Sequence, residues 1–140
     1  MTIPPGTLSE LNTFDAILHS YYAAIEYGDM QTLRALMTEQ SYIMNIEAFG
    51  LKRAFIDARF KTMLAQCKED TAMLREVEVI LCEDLISEAS HSTVVLTSVE
   101  NNGSERKTVL YTENDNNKKL YISHHSGQWL IDYMAGRRRN

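Results

Sequence analysis

The chain contains no apolar run near the roughly 18 residues that a membrane-spanning helix needs, so no spanning segment is predicted. Its first ten residues carry Pro4, Pro5 and Gly6 but neither a basic region nor a hydrophobic block, so no secretory leader is expected. Cysteine is scarce as well. With only Cys67 and Cys82 and no leader, free thiols in a cytoplasmic protein are expected rather than a disulfide. A basic excess is missing: fourteen Lys and Arg face nineteen Asp and Glu, for a net charge of -5. Three of those basic residues are Arg137, Arg138 and Arg139, so the body is more acidic still. An acidic body with a short basic tail argues against nucleic-acid binding, and the tail reads as a solvated end. No His-Glu-x-x-His, Cys-x-x-Cys, Gly-x-Ser-x-Gly or phosphate-cradling glycine loop occurs. No metal site and no cofactor are therefore expected.

What remains is an ordinary composition, 44% hydrophobic and 24% charged over 140 residues, which fits one soluble domain. Residues 1–7 and 135–140 read as flexible ends. Leu11, Phe14, Leu18, Tyr21, Tyr22 and Ile25 recur at helical spacing and predict a helix from about Leu8 to Tyr27, with Thr7 and Glu10 as a capping box. Gly28 stops it, and Asp29 caps a short second helix through Met30, Leu33, Leu36 and Met37. Tyr42 to Ile46 reads as a short strand. A third helix is predicted from about Leu51 to Lys68, presenting Leu51, Phe55, Phe60 and Leu64 to the core.

Glu76 to Ile86 alternates like a strand, and the last third holds three strand-like runs separated by turns. A two-residue hairpin turn at Asn102-Gly103 pairs Leu96 with Val109 and Val94 with Tyr111. The same treatment of Ser126-Gly127 pairs Ile122 with Ile131, Leu120 with Tyr133 and His124 with Trp129. Both hairpins then show one apolar face, with Trp129 as the keystone of the late sheet. The other face keeps Ile80, Cys82, Val95, Val99, Leu110, Leu130 and Met134. A semi-apolar outer face predicts a homodimer formed through the sheet. The fold class is α+β: three helices packed on a strongly curved antiparallel sheet.

Two segments carry a family likeness. Tyr21-Tyr22-Ala23-Ala24-Ile25-Glu26-Tyr27-Gly28-Asp29, followed by Leu33, Leu36 and Met37, resembles the opening of ketosteroid-isomerase-like and SnoaL-like proteins. Ser126-Gly127-Gln128-Trp129-Leu130-Ile131 resembles their closing turn and strand. The chain is thus similar in outline to the nuclear transport factor 2-like superfamily, and the resemblance implies a cone-shaped fold with an internal pocket. Aligned without gaps from Gly28-Asp29, Tyr21 falls where the isomerases have their oxyanion-hole tyrosine. Asn45 falls where they have the general-base aspartate, and an amide cannot abstract a carbon-bound proton. Their second oxyanion group falls near Lys118 or Lys119. Steroid isomerase chemistry is therefore not expected.

The residues expected to line the pocket are Tyr21, Tyr22, Asn45, Glu47, Tyr111, His124 and Trp129; no catalytic residue is assigned. Asn45 and Glu47, two apart, would share a face of the first strand, but two residues of rise set the carboxylate about 6–7 Å further along. Glu47 is accordingly expected at the pocket mouth, and the Tyr21 hydroxyl bonded to protein or water. His124 and His125 are adjacent on a strand, face opposite ways and cannot bind one ion. The leading expectation is a domain that binds a small, mostly apolar ligand. The alternatives are a SnoaL-like lyase or isomerase acting by acid/base chemistry with Tyr21 and Glu47 or His124, and a pocketless assembly module.

Overall fold

In a computed structural model the backbone is described for residues 5–136 and the side chains for residues 10–135. Five helices precede a four-stranded antiparallel sheet: α1 (Pro5–Tyr27), α2 (Met30–Leu36), α3 (Glu39–Ile56), α4 (Ala58–Gln66), α5 (Thr71–Glu88), then β1 (Val94–Asn101), β2 (Arg106–Glu113), β3 (Asn116–His125) and β4 (Gln128–Ile131). The sheet is a meander in the order β1-β2-β3-β4. A 3-10 helix, Tyr133–Gly136, follows it. The architecture is α+β. No helix among the described residues is long and apolar enough to cross a membrane.

Helix α1 ends where the backbone of Gly28 turns left-handed at φ 65°. Asp29 then caps α2, accepting from the Thr32 backbone N–H at 3.1 Å and its hydroxyl at 2.6 Å. Those hydrogen bonds, the hydroxyl foremost, hold the Asp29 carboxyl below the usual carboxylate range. Helix α1 starts earlier than predicted, at Pro5, so Thr7 lies within it and does not set its start. Of the ends expected to be flexible, residues 5–7 are helical and residues 135 and 136 belong to the 3-10 helix, while 1–4 and 137–140 lie outside the described residues.

Two predicted strands are helices. Tyr42 to Ile46 lies within α3, whose N-cap Thr38 accepts from the Ser41 N–H at 3.2 Å. Its buried positions Ser41, Tyr42, Asn45 and Ile46 step by one, three and one, a helical stripe that a five-residue window cannot display. Glu76 to Ile86 lies within α5, capped by Asp70. Leu74, Val77 and Leu81 form its buried stripe, while Val79, which completed the apparent alternation, is 63% exposed. The predicted third helix is two, because Asp57 leaves helical geometry and its carboxylate caps α4 through the Phe60 N–H at 3.1 Å. That break turns Leu51 and Phe55 outward, the latter to 91% exposure, while Phe60 is buried.

The helical layer is pinned through α5. Arg53 of α3 grips Asp84 with two 2.7 Å hydrogen bonds, which keep the Asp84 carboxyl low. Glu78 accepts from both Arg34 and the Tyr42 hydroxyl. Cys67 is buried and Cys82 half-buried, and both are free thiols. Cys82 belongs to α5 rather than to a strand.

The late hairpin has the predicted register, Ile122 with Ile131 and His124 with Trp129, around a turn with Ser126 at φ 48° and Gly127 at φ 84°. Leu120 does not pair with Tyr133, because the chain leaves the sheet at Asp132 and coils. The first hairpin is shifted: Leu96 pairs with Tyr111, Val94 with Glu113, and Asn101 with Lys107. Residues 102–105 form its connection, held by the Thr108 hydroxyl on the Asn102 side chain at 2.6 Å and by Lys107 on Asn101 at 3.2 Å. A bulge between Leu96 and Ser98 then rotates Val99 onto the core side opposite Val109. Of the residues expected on the outer sheet face, Val99 therefore turns inward, and Ile80 and Cys82 lie on α5.

Trp129 stands on the inner face at the late turn. Its ring meets Phe14 edge-on at 5.3 Å and His124 at 4.9 Å, yet it is only partly buried. Trp129→Ala is expected to cost about 2 kcal/mol, below the full-burial range, because part of the ring already faces water. An unchanged midpoint in urea would show that the ring contributes no packing.

Candidate functional site

Consecutive residues on an α-helix point about 100° apart, so Tyr21 and Tyr22 send their hydroxyls into different neighbourhoods. Tyr21 reaches toward α3 and the 3-10 helix. The Tyr133 hydroxyl donates to Asn45 Oδ1 at 2.7 Å, and Asn45 Nδ2 donates to the Tyr21 oxygen at 3.3 Å. Because the single Tyr133 proton is spent on Asn45, the 2.7 Å contact between the two tyrosines must be Tyr21 donating to Tyr133. The three side chains thus form a closed ring in which each donates to the next. Ser41 fixes it from the side, accepting from the Tyr133 backbone N–H at 2.9 Å. Burial first, and then the neighbouring Tyr21, push the Tyr133 phenol far above its ordinary value, so it stays a neutral donor.

Tyr22 turns toward β2. Its hydroxyl donates to Glu113 Oε1 at 2.9 Å and, with its proton so placed, accepts from the Tyr111 hydroxyl at 2.8 Å. Ser92 donates to the other carboxylate oxygen at 3.0 Å. Burial, then the bonds to Tyr111 and Glu113, raise the Tyr22 phenol well beyond the ordinary tyrosine value, and burial also raises Tyr111. Neither can serve as a base near neutral pH. The result is a directed chain, Tyr111 to Tyr22 to Glu113, with Ser92 entering from the far side.

This second chain borders a cavity of about 610 Å³ between α1, the end of α5 with its connection to β1, and the ends of β1 and β2. Ile25, Leu85 and Val94 supply apolar wall, and Tyr22, Glu26 and Glu113 supply polar wall. The volume lies within the roughly 300–1,000 Å³ common for small-molecule sites. Glu113 is held firmly there. It pairs with Val94 on one side and Asn116 on the other, just before a two-residue turn in which Asn114 and Asp115 have φ of 51° and 69°.

The other candidates lie elsewhere. Because Tyr42 to Ile46 is helical, Asn45 and Glu47 point about 200° apart rather than sharing a face. Glu47 forms a 3.2 Å ion pair with Lys68 and is 41% exposed. His124 and Trp129 meet edge-on at the far end of the sheet from Glu113, near the Glu105 carbonyl that accepts from the His124 N–H. Tyr21 joins Asn45 in one network and Tyr22 joins Tyr111 in the other, with Tyr21 and Tyr22 lining the cavity; Glu47, His124 and Trp129 belong to neither network. Glu113 and Ser92 were missed. Glu113 lies two residues beyond inward-pointing Tyr111, so strand alternation alone marks it as inward-facing.

One further cluster has the residue types of a hydrolase. Ser123 Oγ lies 2.5 Å from His125 Nε2 and donates to Asp132 Oδ2 at 2.8 Å. The order is wrong for nucleophilic catalysis, since the serine proton goes to the carboxylate and not to the imidazole. Asp132 also accepts from the Met134 N–H at 3.0 Å, which makes it the anchor of the 3-10 helix. Set beside this geometry, no family model, curated protein or solved structure is significantly similar to the chain.

Proposed function

We propose that this protein is a small-molecule binding domain whose ligand occupies the cavity beside Tyr22. The observation that carries the reading is a space of about 610 Å³ with mixed apolar and polar walls and an ordered phenol–carboxylate pair on one side. Ile25, Leu85 and Val94 would hold a mostly apolar body, and Tyr22 with Glu113 would orient its polar end. Resonances of Ala23, Ser92, Val94 and Glu113 are expected to shift together when small aromatic and alicyclic fragments are titrated at millimolar concentration. A Leu85→Trp variant, which fills the space, is expected to lose those shifts. Fragments that perturb none of these residues would remove the reading.

An acid/base lyase or isomerase is the second reading. One observation favours it: a neutral phenol donor and a carboxylate stand on the same wall. The assembly-module reading draws instead on the exposed apolar end of α3, Leu51, Phe55 and Ile56. Self-association through the outer sheet face around Val95, Leu110 and Leu130 belongs to the leading reading, and a monomer in sedimentation at micromolar concentration would remove it. So does a cytoplasmic setting, where both thiols stay reduced. The nuclear transport factor 2-like cone is likewise a proposal. In its favour, the opening segment forms the end of α1 and the capped start of α2, and the closing segment forms the last turn and β4. Against it, a helix stands at Tyr42 to Ile46 where that family's outline has a strand.

A further inference from the structure

The charges around the cavity narrow what can enter it. Among its described lining residues are three glutamates and two histidines, with no lysine or arginine. Two of the glutamates have basic neighbours. Glu88 pairs with Lys52 at 2.9 Å, and Glu26 lies 3.7 Å from His91. Glu113 differs, for among the described residues its side-chain partners are two neutral hydroxyls, those of Tyr22 and Ser92. A carboxylate offers about four lone-pair directions, so two hydroxyl donors leave acceptor capacity on each oxygen. The Tyr22 proton is already committed to Glu113, and the Tyr111 proton to Tyr22, so this wall has little left to donate. It is an acceptor wall, rigidly mounted and negatively charged.

We propose that the ligand carries a protonated amine, seated on Glu113 with its apolar body against Ile25, Leu85 and Val94. This deepens the binding reading and rests on it. An ammonium brings donors to a wall whose phenol protons are already committed, and it supplies the positive charge that Glu113 does not get from its two hydroxyl partners. Charge-assisted hydrogen bonds of this kind are roughly twice as strong as neutral ones. An anionic ligand would meet repulsion from Glu113, whose hydroxyl partners bring no positive charge. A neutral alcohol would fit the shape but leave the charge unmatched.

The test uses the full chain and three probes with the same ring: benzylamine, benzyl alcohol and benzoate, titrated at fixed ionic strength and followed by calorimetry and by the resonances of Ser92, Val94 and Glu113. Benzylamine is expected to bind at least about tenfold more tightly than the alcohol, and benzoate not at all. Glu113→Gln keeps the shape and an acceptor for Tyr22, and is expected to bring the amine-to-alcohol ratio to about one. Glu113→Asp keeps the charge and retains a preference. Equal binding of amine and alcohol by the native chain overturns the amine assignment while leaving the binding reading intact. Binding by none of the three at millimolar concentration overturns both. A preference that survives Glu113→Gln also overturns the assignment. Should that variant not fold, the Glu113 side-chain carboxyl resonance decides: a shift specific to the amine supports the proposal, and its absence sinks it.

Discussion

Gly28→Ala is expected to destabilise the fold by about 3 kcal/mol, a large fraction of a small domain's total. Two costs combine at this position. The left-handed backbone, φ 65°, disfavours any residue with a Cβ by about 1 kcal/mol. A Cβ there would also lie 2.8 Å from the backbone oxygen of Cys82 and 3.1 Å from both its sulfur and an Ile86 side-chain carbon. A backbone atom of α5 cannot rotate away, so α1 and α5 must separate, and overpacking of that kind adds about 1–3 kcal/mol. Gly127→Ala provides the control. Its φ of 84° carries the same backbone cost, but nothing lies within 4 Å of the added carbon. It is expected to cost about 1 kcal/mol. Urea unfolding of the two variants, if equal, would show that the close approach of α1 to α5 plays no part.

Asn45→Ala is expected to cost about 3 kcal/mol, although it removes only a small polar side chain. The buried amide is both acceptor for Tyr133 and donor to Tyr21, so its loss leaves two phenols sharing one hydrogen bond, with one of their two protons unpartnered, and opens the ring. An unpaired buried polar group costs about 1–3 kcal/mol, and the void adds to it. Tyr21→Phe, which removes one member but leaves the Tyr133–Asn45 bond in place, is expected to cost less, about 1 kcal/mol. Thermal unfolding of the pair checks the order; Tyr21→Phe proving the more damaging would mean the ring is not the unit of stability.

The sequence was most legible where a signal is local and chemical. The Gly28 stop, the Asp29 cap and the Ser126-Gly127 turn each act within a few residues, and each stands as read. It was least legible where β-branched and aromatic residues sit in helices. Val77, Val79 and Leu81 alternate in sequence, but Asp70 caps that stretch and Leu74, Val77 and Leu81 share a helical stripe. The cue lay seven residues upstream of the alternation. The first hairpin failed for a related reason. Asn102-Gly103 is the composition of a two-residue turn, yet the Asn101 and Asn102 side chains bind Lys107 and Thr108 across the strands and hold a longer connection. Of the site, Tyr21, Tyr22 and Tyr111 could be read from helical and strand periodicity, whereas Asn45 came from the family resemblance and from a strand that is a helix. The pairing of Tyr22 with Glu113 could not, because it joins positions 22 and 113 through a register that the sequence did not specify.

The bulge in β1 bears on how copies of this chain meet in a crowded cell. A four-stranded meander has two borders, and unpaired backbone there invites another chain to add on as a further strand. At β4 the border is only four residues long and its last residue is occupied: Met37 bridges Ile131, and the Thr38 N–H donates to the Ile131 carbonyl at 2.9 Å. At β1 the irregularity between Leu96 and Ser98 breaks the even row of N–H and C=O groups, and the Thr97 hydroxyl folds back onto the Leu110 carbonyl at 2.9 Å. An incoming strand would find its ladder interrupted midway. The same distortion that turns Val99 inward thus guards against runaway strand addition.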